Sequence, residues 1–149
     1  MAELRLKVAT PERVLYDGSV TQVSLPTPMG EITILPNHVP LVSVVSPGEL
    51  RIMADKQDVS LAVSNGVVEI SHNVISVLAD TAERVEEIDE QRAEEAKLRA
   101  QQAMTQRVGD QEYAVAAAAL ERHLVRLRLA NKYRHRGQHG ITQEPLRRE

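Results

Sequence analysis

The spacing of apolar residues changes near Ala82, from every second residue before it to every third or fourth residue after it. A period of two is typical of half-buried strands, whereas a period of three to four is typical of amphipathic helices. No single element satisfies both periods, so the 149-residue chain divides into two structural segments. We predict a β domain over residues 1–84 and a helical segment that begins at residue 85.

The first segment has the alternation and the turn chemistry of many short strands. Residues 4–8 alternate between apolar and charged side chains, and the pattern returns at residues 50–54 and 59–63. Prolines and glycines separate these runs and mark the connections between strands. The segment is therefore predicted to fold as an antiparallel β-sandwich of about ten strands, which protects its edges better than an open sheet does.

Two dipeptides in this segment predict tight hairpins. Asp17-Gly18 and Asn65-Gly66 combine residues that accept a positive φ angle, as the two central residues of a hairpin turn require. We therefore expect one strand to end before each dipeptide and the next strand of the same sheet to begin after it.

The second segment is rich in helix-forming residues and contains no proline until Pro145. Asp89 precedes the first helical run and has a side chain that can accept hydrogen bonds from free backbone N–H groups, so it is a predicted N-cap. The first helix is expected to end near Arg107.

A break separates this helix from a second one. Gly109 suits the left-handed position at a helix end, and Asp110 suits the cap of the next helix. Residues 85–136 are therefore predicted to form an antiparallel α-helical hairpin with helices of comparable length, and residues 137–149 a polar, disordered tail. The whole chain is thus predicted to be an α+β protein, in which a β-sandwich is followed by a helical hairpin.

Many of the residues predicted to join the two helices are alanines. The contact stripe of the first helix is formed by Ala93, Ala96, Ala100, Ala103 and Met104. The stripe of the second helix follows seven-residue spacing and is formed by Tyr113, Ala117, Leu120, Leu124 and Leu127. Burial contributes about 25 cal/mol per Å² of apolar surface, so an alanine seam stabilises far less than a leucine seam. The hairpin is therefore predicted both to close and to open.

The two helices carry opposite charge. Residues 83–95 contain seven acidic residues and two arginines, whereas residues 121–136 contain six basic residues and one acidic residue. An exposed ion pair contributes about 0 to 1 kcal/mol and is screened by salt. Pairing of the two stretches would favour the closed hairpin without locking it. The alternative is that each stretch is a solvated helix face with no partner.

The composition and the motifs exclude most catalytic functions. The chain has no cysteine, no glycine-rich phosphate loop and no zinc-binding His-Glu-x-x-His sequence. Its five histidines are not spaced as metal ligands, so no metal site is predicted. The net charge of −3 and the absence of Phe and Trp argue against nucleic-acid binding. No apolar run is long enough to cross a membrane, so any membrane association is expected to go through a partner.

Three stretches of the chain carry a distinctive order of motifs. They read GEITILPNHVPLVSVVSPGELRI at residues 30–52, SNGVVEI at residues 64–70 and VLADTAERVEEIDEQRAEEA at residues 77–96. This combination resembles the epsilon subunit of the bacterial-type F1Fo ATP synthase. The resemblance implies a non-catalytic central-stalk subunit that docks on the gamma subunit and on the c ring of a proton-driven rotary motor. It also implies a peripheral location at the cytoplasmic face of the bacterial plasma membrane.

The resemblance assigns two residues to the contact with the c ring. In the family the loop around the Gly-Glu and Pro-x-His elements faces that ring, which implies that Glu31 and His38 lie at the contact. The residues alone also allow another interpretation. Glu31 would then be a solvated turn residue, and His38 would order its own proline-flanked loop.

The resemblance further implies that the helical arm is regulatory. Closed against the sandwich, the arm permits ATP hydrolysis; extended along gamma, it obstructs rotation. Arg122, Arg126 and Arg128 form a basic face that would pair with the acidic first helix when closed, or with the alpha and beta subunits when extended. Two competing partners for one helix make a switch if the closed and extended arms differ in free energy by on the order of a few kcal/mol.

Residues 88–93 read Ile-Asp-Glu-Gln-Arg-Ala and match a motif through which some bacterial members bind ATP as a regulator. The nucleotide-binding residues that this match implies are Glu83, Ile88, Asp89, Arg92, Ala93, Arg99, Arg122 and Arg126. Guanidinium groups of both helices could gather around a triphosphate in the closed hairpin. Two alternatives remain: Asp89 serves only as an N-cap, or the chain is a stand-alone nucleotide-responsive binding module. No obligatory cofactor is predicted.

Overall fold

The computed structural model of the chain describes residues 3–55, 57–106 and 109–139. Over these ranges it contains ten strands and two α-helices. The strands are β1 (Leu4–Ala9), β2 (Val14–Val20), β3 (Gln22–Thr27), β4 (Gly30–Ile34), β5 (Leu41–Val45), β6 (Gly48–Met53), β7 (Val59–Val63), β8 (Gly66–Ser71), β9 (Val74–Ala79) and β10 (Ala82–Arg84). The helices are α1 (Glu90–Thr105) and α2 (Asp110–His139), preceded by a single 3-10 turn at Val85–Glu87.

The strands form two five-stranded sheets that share one core. Sheet one has the order β2-β1-β9-β8-β5, and sheet two has the order β10-β7-β6-β3-β4. Within the described residues the pairs are antiparallel except β1 with β9, which run parallel. The predicted fold, a β-sandwich followed by a helical hairpin, is confirmed. The parallel pair is a departure from the predicted antiparallel pairing.

The core between the sheets is aliphatic. Leu4, Leu6 and Val8 alternate inward along β1 and are at most 1% exposed. Other large side chains that are fully buried here are Val23, Leu25, Ile34, Val45, Leu50, Ile52, Leu61, Ile70 and Ile75. Every buried residue of this core belongs to a strand, so the interior of the sandwich is complete without the helices.

Both hairpin predictions were wrong. Asp17 and Gly18 lie inside β2, where they pair with β1, and the β1–β2 connection is at residues 10–13 instead. Asn65 precedes Gly66 between β7 and β8, but these two strands belong to different sheets, so the connection crosses the sandwich. A dipeptide that accepts a positive φ angle permits a hairpin without requiring one, and the strand pairing decides where the chain turns.

Gly66 is expected to be the glycine of the sandwich that tolerates substitution least. A Cβ atom there would lie 2.2 Å from the Leu78 carbonyl oxygen and 2.8 Å from the Ala79 Cα, because the backbones of β8 and β9 approach closely. We expect Gly66→Ala to lower the free energy of unfolding by about 2–3 kcal/mol. Gly18→Ala is the control, since its Cβ would meet only Tyr16, at 3.7 Å. Urea denaturation measures the free energy of unfolding of both variants. Equal values would contradict the close approach of the β8 and β9 backbones at Gly66.

Asp89 caps α1 as predicted. Its carboxylate accepts hydrogen bonds from the backbone N–H groups of Gln91, at 3.0 Å, and Arg92, at 3.2 Å. These two groups have no partner inside the helix, so the cap stabilises the first turn and fixes where α1 begins. Asp89 therefore determines where α1 begins after the sandwich.

The second helix differs from its prediction in two respects. It begins at Asp110 with Gly109 before it, and the Tyr113 N–H donates to the Gly109 carbonyl oxygen at 3.1 Å, so Asp110 lies in the first turn rather than at the cap. It has 30 residues against 16 for α1 and continues to His139, three residues into the predicted tail. Gly109 has the predicted positive φ angle, 139°. Residues 140–149 of that tail and Arg107 lie outside the described residues.

The buried face of α2 also differs from the predicted stripe. Tyr113 and Leu124 are 47% and 45% exposed. Among residues 110–134 of α2, the buried ones are Ala116, Val125, Leu129 and Ala130. The prediction assumed that α2 packs only against α1, whereas α2 contacts both α1 and sheet two. In α1 the predicted stripe is partly correct, since Ala93 and Ala100 are buried.

Candidate functional site

The helical arm, which comprises α1 and α2, lies on the outer face of sheet two. Val125 and Leu129 of α2 pack there with Ala62 of β7 and with Val85, and all four are at most 6% exposed. Ile88 covers one edge of this second core. This second core is small and separate from the core of the sandwich.

Two ion pairs join the basic stretch of α2 to acidic residues before and within α1. Arg126 donates two hydrogen bonds to the carboxylate of Glu83 in β10, and Nη2 lies 3.3 Å from Oε2. These two side chains are 22% and 24% exposed, so solvent screens their attraction less than that of a surface pair. Arg134 lies 2.8 Å from Glu90 of α1. The acidic and basic stretches therefore meet at both pairs.

A largely buried carboxylate attaches the end of α2 to sheet two. The side chain of Glu49, in β6, is 13% exposed. It accepts hydrogen bonds from Lys132 Nζ at 2.8 Å, from Ser60 Oγ at 3.1 Å and from the Tyr133 hydroxyl. Burial raises the pKa of Glu49, but the hydrogen bonds and the charge of Lys132 outweigh burial and hold the pKa below its usual value. The carboxylate is therefore charged at neutral pH.

Positive charge is concentrated around His123 of α2. Its Nδ1 lies 3.3 Å from Nη1 of Arg126. Burial lowers the pKa of His123, and the charges of Arg122, Arg126 and Arg99 lower it further. Guanidinium groups from both helices therefore lie near His123. Such a group of planar donors is suited to binding a polyanion.

The other residues of the predicted nucleotide site have different positions. Ala93 is fully buried, and Ile88 packs beside the second core. Asp89 is the N-cap of α1, and the exposed side chain of Arg92 lies 3.7 Å from it. Half of the predicted residues lie near His123 or pair with Arg126: Glu83, Arg99, Arg122 and Arg126.

Acid is expected to loosen the arm through His123. Its pKa is lowered from an ordinary value of 6.5, so the unfolded arm binds a proton at a higher pH than the closed arm does. The stabilising contribution is present above the unfolded pKa and is lost as the pH falls through the folded pKa. Thermal unfolding of the arm, followed by far-UV circular dichroism at about pH 7.5 and about pH 5.5, measures this loss. His123→Gln should reduce the difference in arm stability between the two pH values. An undiminished difference would contradict the assignment of this pH dependence to His123.

The predicted basic face is partly covered in the closed arm. Arg122 and Arg126 line a cleft of about 270 Å³ between α2 and the edge of the sandwich, together with Glu83 and Val125. Arg128 is exposed. Departure of the arm would therefore uncover two further positive charges beside the one that is already accessible.

The structure does not bring Glu31 and His38 together. Glu31 lies at the start of β4, beside the β3–β4 turn, where its carboxylate pairs with Arg51. His38 lies in the connection that follows the opposite end of β4. The N–H of the neighbouring Asn37 donates to Asn73 Oδ1 at 2.6 Å, which attaches this connection to the β8–β9 turn. The assignment of both residues to a contact with the c ring stays a prediction.

The outer face of sheet one carries a row of exposed apolar side chains that sequence reasoning missed. Strand pairing places them side by side in the order Val14, Ala9, Leu78, Val67 and Val44, one from each strand of the sheet. Leu78 is 65% exposed, and the three valines are 47–54% exposed. We call these five residues the apolar row. A contiguous exposed apolar surface is typical of a protein–protein interface.

Within residues 3–55, 57–106 and 109–139, no three His, Asp or Glu side chains are grouped so that they could hold a metal ion. Neither α1 nor α2 combines the length and the apolarity that crossing a bilayer requires.

Two family models match the chain. The β-sandwich domain of the ATP synthase delta/epsilon chain matches residues 3–85, and the long α-helix domain of the same chain matches residues 86–131. The ATP synthase epsilon chain of Herpetosiphon aurantiacus is 44% identical over 133 residues, which cover 89% of this chain and 98% of that one. This chain belongs to the ATP synthase epsilon-chain family.

Solved structures of ATP synthases contain chains with the epsilon-family fold. One chain of the Euglena gracilis mitochondrial ATP synthase superposes with a TM-score of 0.71 at 20% identity, over 84% of this chain and 79% of that one. One chain of the central stalk and c ring of the Tetrahymena thermophila mitochondrial ATP synthase superposes with a TM-score of 0.52 at 16% identity, over 87% and 95%. At these identities the likeness shows the fold. The helix-domain model ends at residue 131, immediately before Lys132 and Tyr133.

Proposed function

We propose that this chain is a non-catalytic rotor subunit of a bacterial ATP synthase. It docks on the gamma subunit through the apolar row of sheet one and meets the c ring with one end of the sandwich. Its location is then peripheral, at the cytoplasmic face of the plasma membrane, with membrane contact through partners alone. The observation that carries this proposal is the apolar row in a chain of the epsilon family.

The apolar row supports docking on a large, preformed surface. It crosses all five strands of sheet one, and the arm covers only the opposite sheet. Exposed Val42, at 70%, extends the row along β5. The central part of a protein interface is depleted of charge and rich in apolar groups, which this row provides. The solved chains with this fold come from assemblies that contain F1 and the c ring or the central stalk and the c ring.

The end of the sandwich at the β3–β4 turn is the better candidate for contact with the c ring. Met29 at the tip of this turn is 97% exposed, and Glu31 adjoins it. An exposed thioether beside a carboxylate offers both apolar and polar contact to a neighbouring loop.

The arm has the features that regulation requires. Its second core contains only four buried residues, and its ion pairs lie in partial contact with solvent. A few kcal/mol therefore separate the closed arm from an extended one, which allows a competing partner to shift the equilibrium. We propose that the extended arm presents Arg122, Arg126 and Arg128 to the alpha and beta subunits and inhibits ATP hydrolysis.

ATP is a second candidate for the control of the arm, favoured by the guanidinium groups of Arg99, Arg122 and Arg126 around His123. A bound triphosphate would neutralise these charges and hold both helices together. Isothermal titration with ATP tests this directly. Heat that disappears in Arg122→Ala would support binding at this site, whereas no heat at millimolar ATP would remove the proposal.

The rotor assignment is tested by affinity purification of the tagged chain from native membranes. Recovery of gamma and c subunits is expected. A chain that binds ATP but recovers neither subunit would instead be a stand-alone nucleotide-responsive module.

A further inference from the structure

We infer that Glu49, Ser60, Lys132 and Tyr133 form a latch that holds the far end of the arm on sheet two. This inference deepens the proposed arm regulation and rests on it only for the effect on the motor. The latch itself is a property of the isolated chain. Release of the latch would free the last turns of α2 and favour the extended arm.

The geometry of the latch is that of a satisfied, largely buried polar network. Glu49 Oε2 receives Lys132 Nζ, while Oε1 receives both the Tyr133 hydroxyl and Ser60 Oγ. The Tyr133 hydroxyl also lies 2.7 Å from Ser60 Oγ, which connects α2 to β7 as well as to β6. Hydrogen bonds to a charged group are stronger than neutral ones, and loss of one member leaves the others buried without compensation.

The position of the latch allows it to control whether the end of the arm stays on the sandwich. Glu49 is separated from Tyr133 by 84 residues of sequence, so the contact forms only when the arm is closed. The other attachment of α2 to the sandwich that we describe is small, since it consists of the second core and the Glu83–Arg126 pair. The Glu83–Arg126 pair lies two turns before the latch and is more exposed than Glu49. The latch therefore contains the least exposed carboxylate among the described ion pairs that hold α2.

Two of the latch residues lie outside the part of the chain that the family models describe. The helix model ends at residue 131, immediately before Lys132 and Tyr133. Their partners Glu49 and Ser60 lie within the sandwich model. The latch therefore combines two residues inside the sandwich model with two residues that follow the helix model.

Single-molecule fluorescence transfer on the full chain tests the latch. The chain contains no cysteine, so Asp55→Cys on the sandwich and Ala118→Cys on α2 provide two unique labelling sites, both exposed. Glu49→Gln and Tyr133→Phe should each raise the ratio of open to closed arm by about tenfold. The double variant should raise it by less than the product of the single effects, because both changes break one network. Glu69→Gln, an exposed glutamate of sheet one, is the matched control for this distance measurement and should leave the ratio unchanged.

A second measurement separates this inference from the proposed function. The same variants, assembled in the motor without labels, should lower ATP hydrolysis because the arm is extended more often. An unchanged distance distribution in both Glu49→Gln and Tyr133→Phe would overturn the latch. An arm that opens while hydrolysis stays constant would support the latch and overturn the proposed regulation. Far-UV circular dichroism verifies that each variant is folded.

Discussion

A chain that ends at Glu87 is expected to assemble into the motor and to raise its ATP hydrolysis several-fold. The truncation keeps all ten strands and every residue of the sandwich core, and it removes both helices. It uncovers only Ala62 and Val85 of the second core, which is a small apolar area. Without α2 the basic face that we propose as the inhibitory element is absent.

Hydrolysis by membranes that carry the truncated or the full chain measures the effect. A chain that ends at His139 is the matched control, because it keeps both helices and removes only residues 140–149; it should behave as the full chain. Loss of assembly in the shorter chain would show that the sandwich depends on the arm. Normal assembly with unchanged hydrolysis would show that the arm does not inhibit.

Leu78→Asp is expected to weaken binding to the gamma subunit by about a hundredfold. Leu78 is in the middle strand of sheet one, at the centre of the apolar row, and a buried carboxylate without a partner would oppose docking there. Its side chain points away from the sandwich core and is 65% exposed, so the fold should be preserved. The result is measured by pull-down of gamma with purified variants.

Leu98→Asp provides the same chemical change at a different surface. Leu98 is 49% exposed on α1 and lies far in sequence from the row, so this variant should bind gamma normally. Equal binding by Leu78→Asp and the unchanged chain would exclude the apolar row as the docking surface. Equal weakening by both aspartates would indicate a general effect of added charge.

The strands and helices could be predicted from the sequence because each has one dominant period, but the turns could not. The β8–β9 hairpin turns at His72 and Asn73, which have φ angles of 50° and 61°. Register imposes this turn, since Ser71 pairs with Val74 and leaves two residues between them. Asp17 and Gly18 had the better local signal, yet they lie within β2. Pairing over long sequence distances therefore prevailed over local preference.

The candidate site was predictable where it depended on charge and unpredictable where it depended on tertiary contact. The opposed charges anticipated the Glu83–Arg126 pair, because the hairpin had to bring them together. The Glu49–Tyr133 contact joins the sandwich to the end of α2, and no local pattern signals it. The apolar row did leave a signal. Residues 41–45 and 74–79 contain apolar side chains on both faces of a strand, which a solvent-facing sheet does not require.

We propose that the closed arm permits ATP hydrolysis and that departure of the arm from the sandwich inhibits this hydrolysis. Glu83→Cys and Arg126→Cys replace a pair that is in contact in the closed arm, and a short bismaleimide can join them in a chain that has no other cysteine. Hydrolysis by the assembled motor should rise when the bridge forms and should stay unchanged in the single-cysteine controls treated with the same reagent. A bridged arm that leaves hydrolysis unchanged, or that lowers it, would contradict the account.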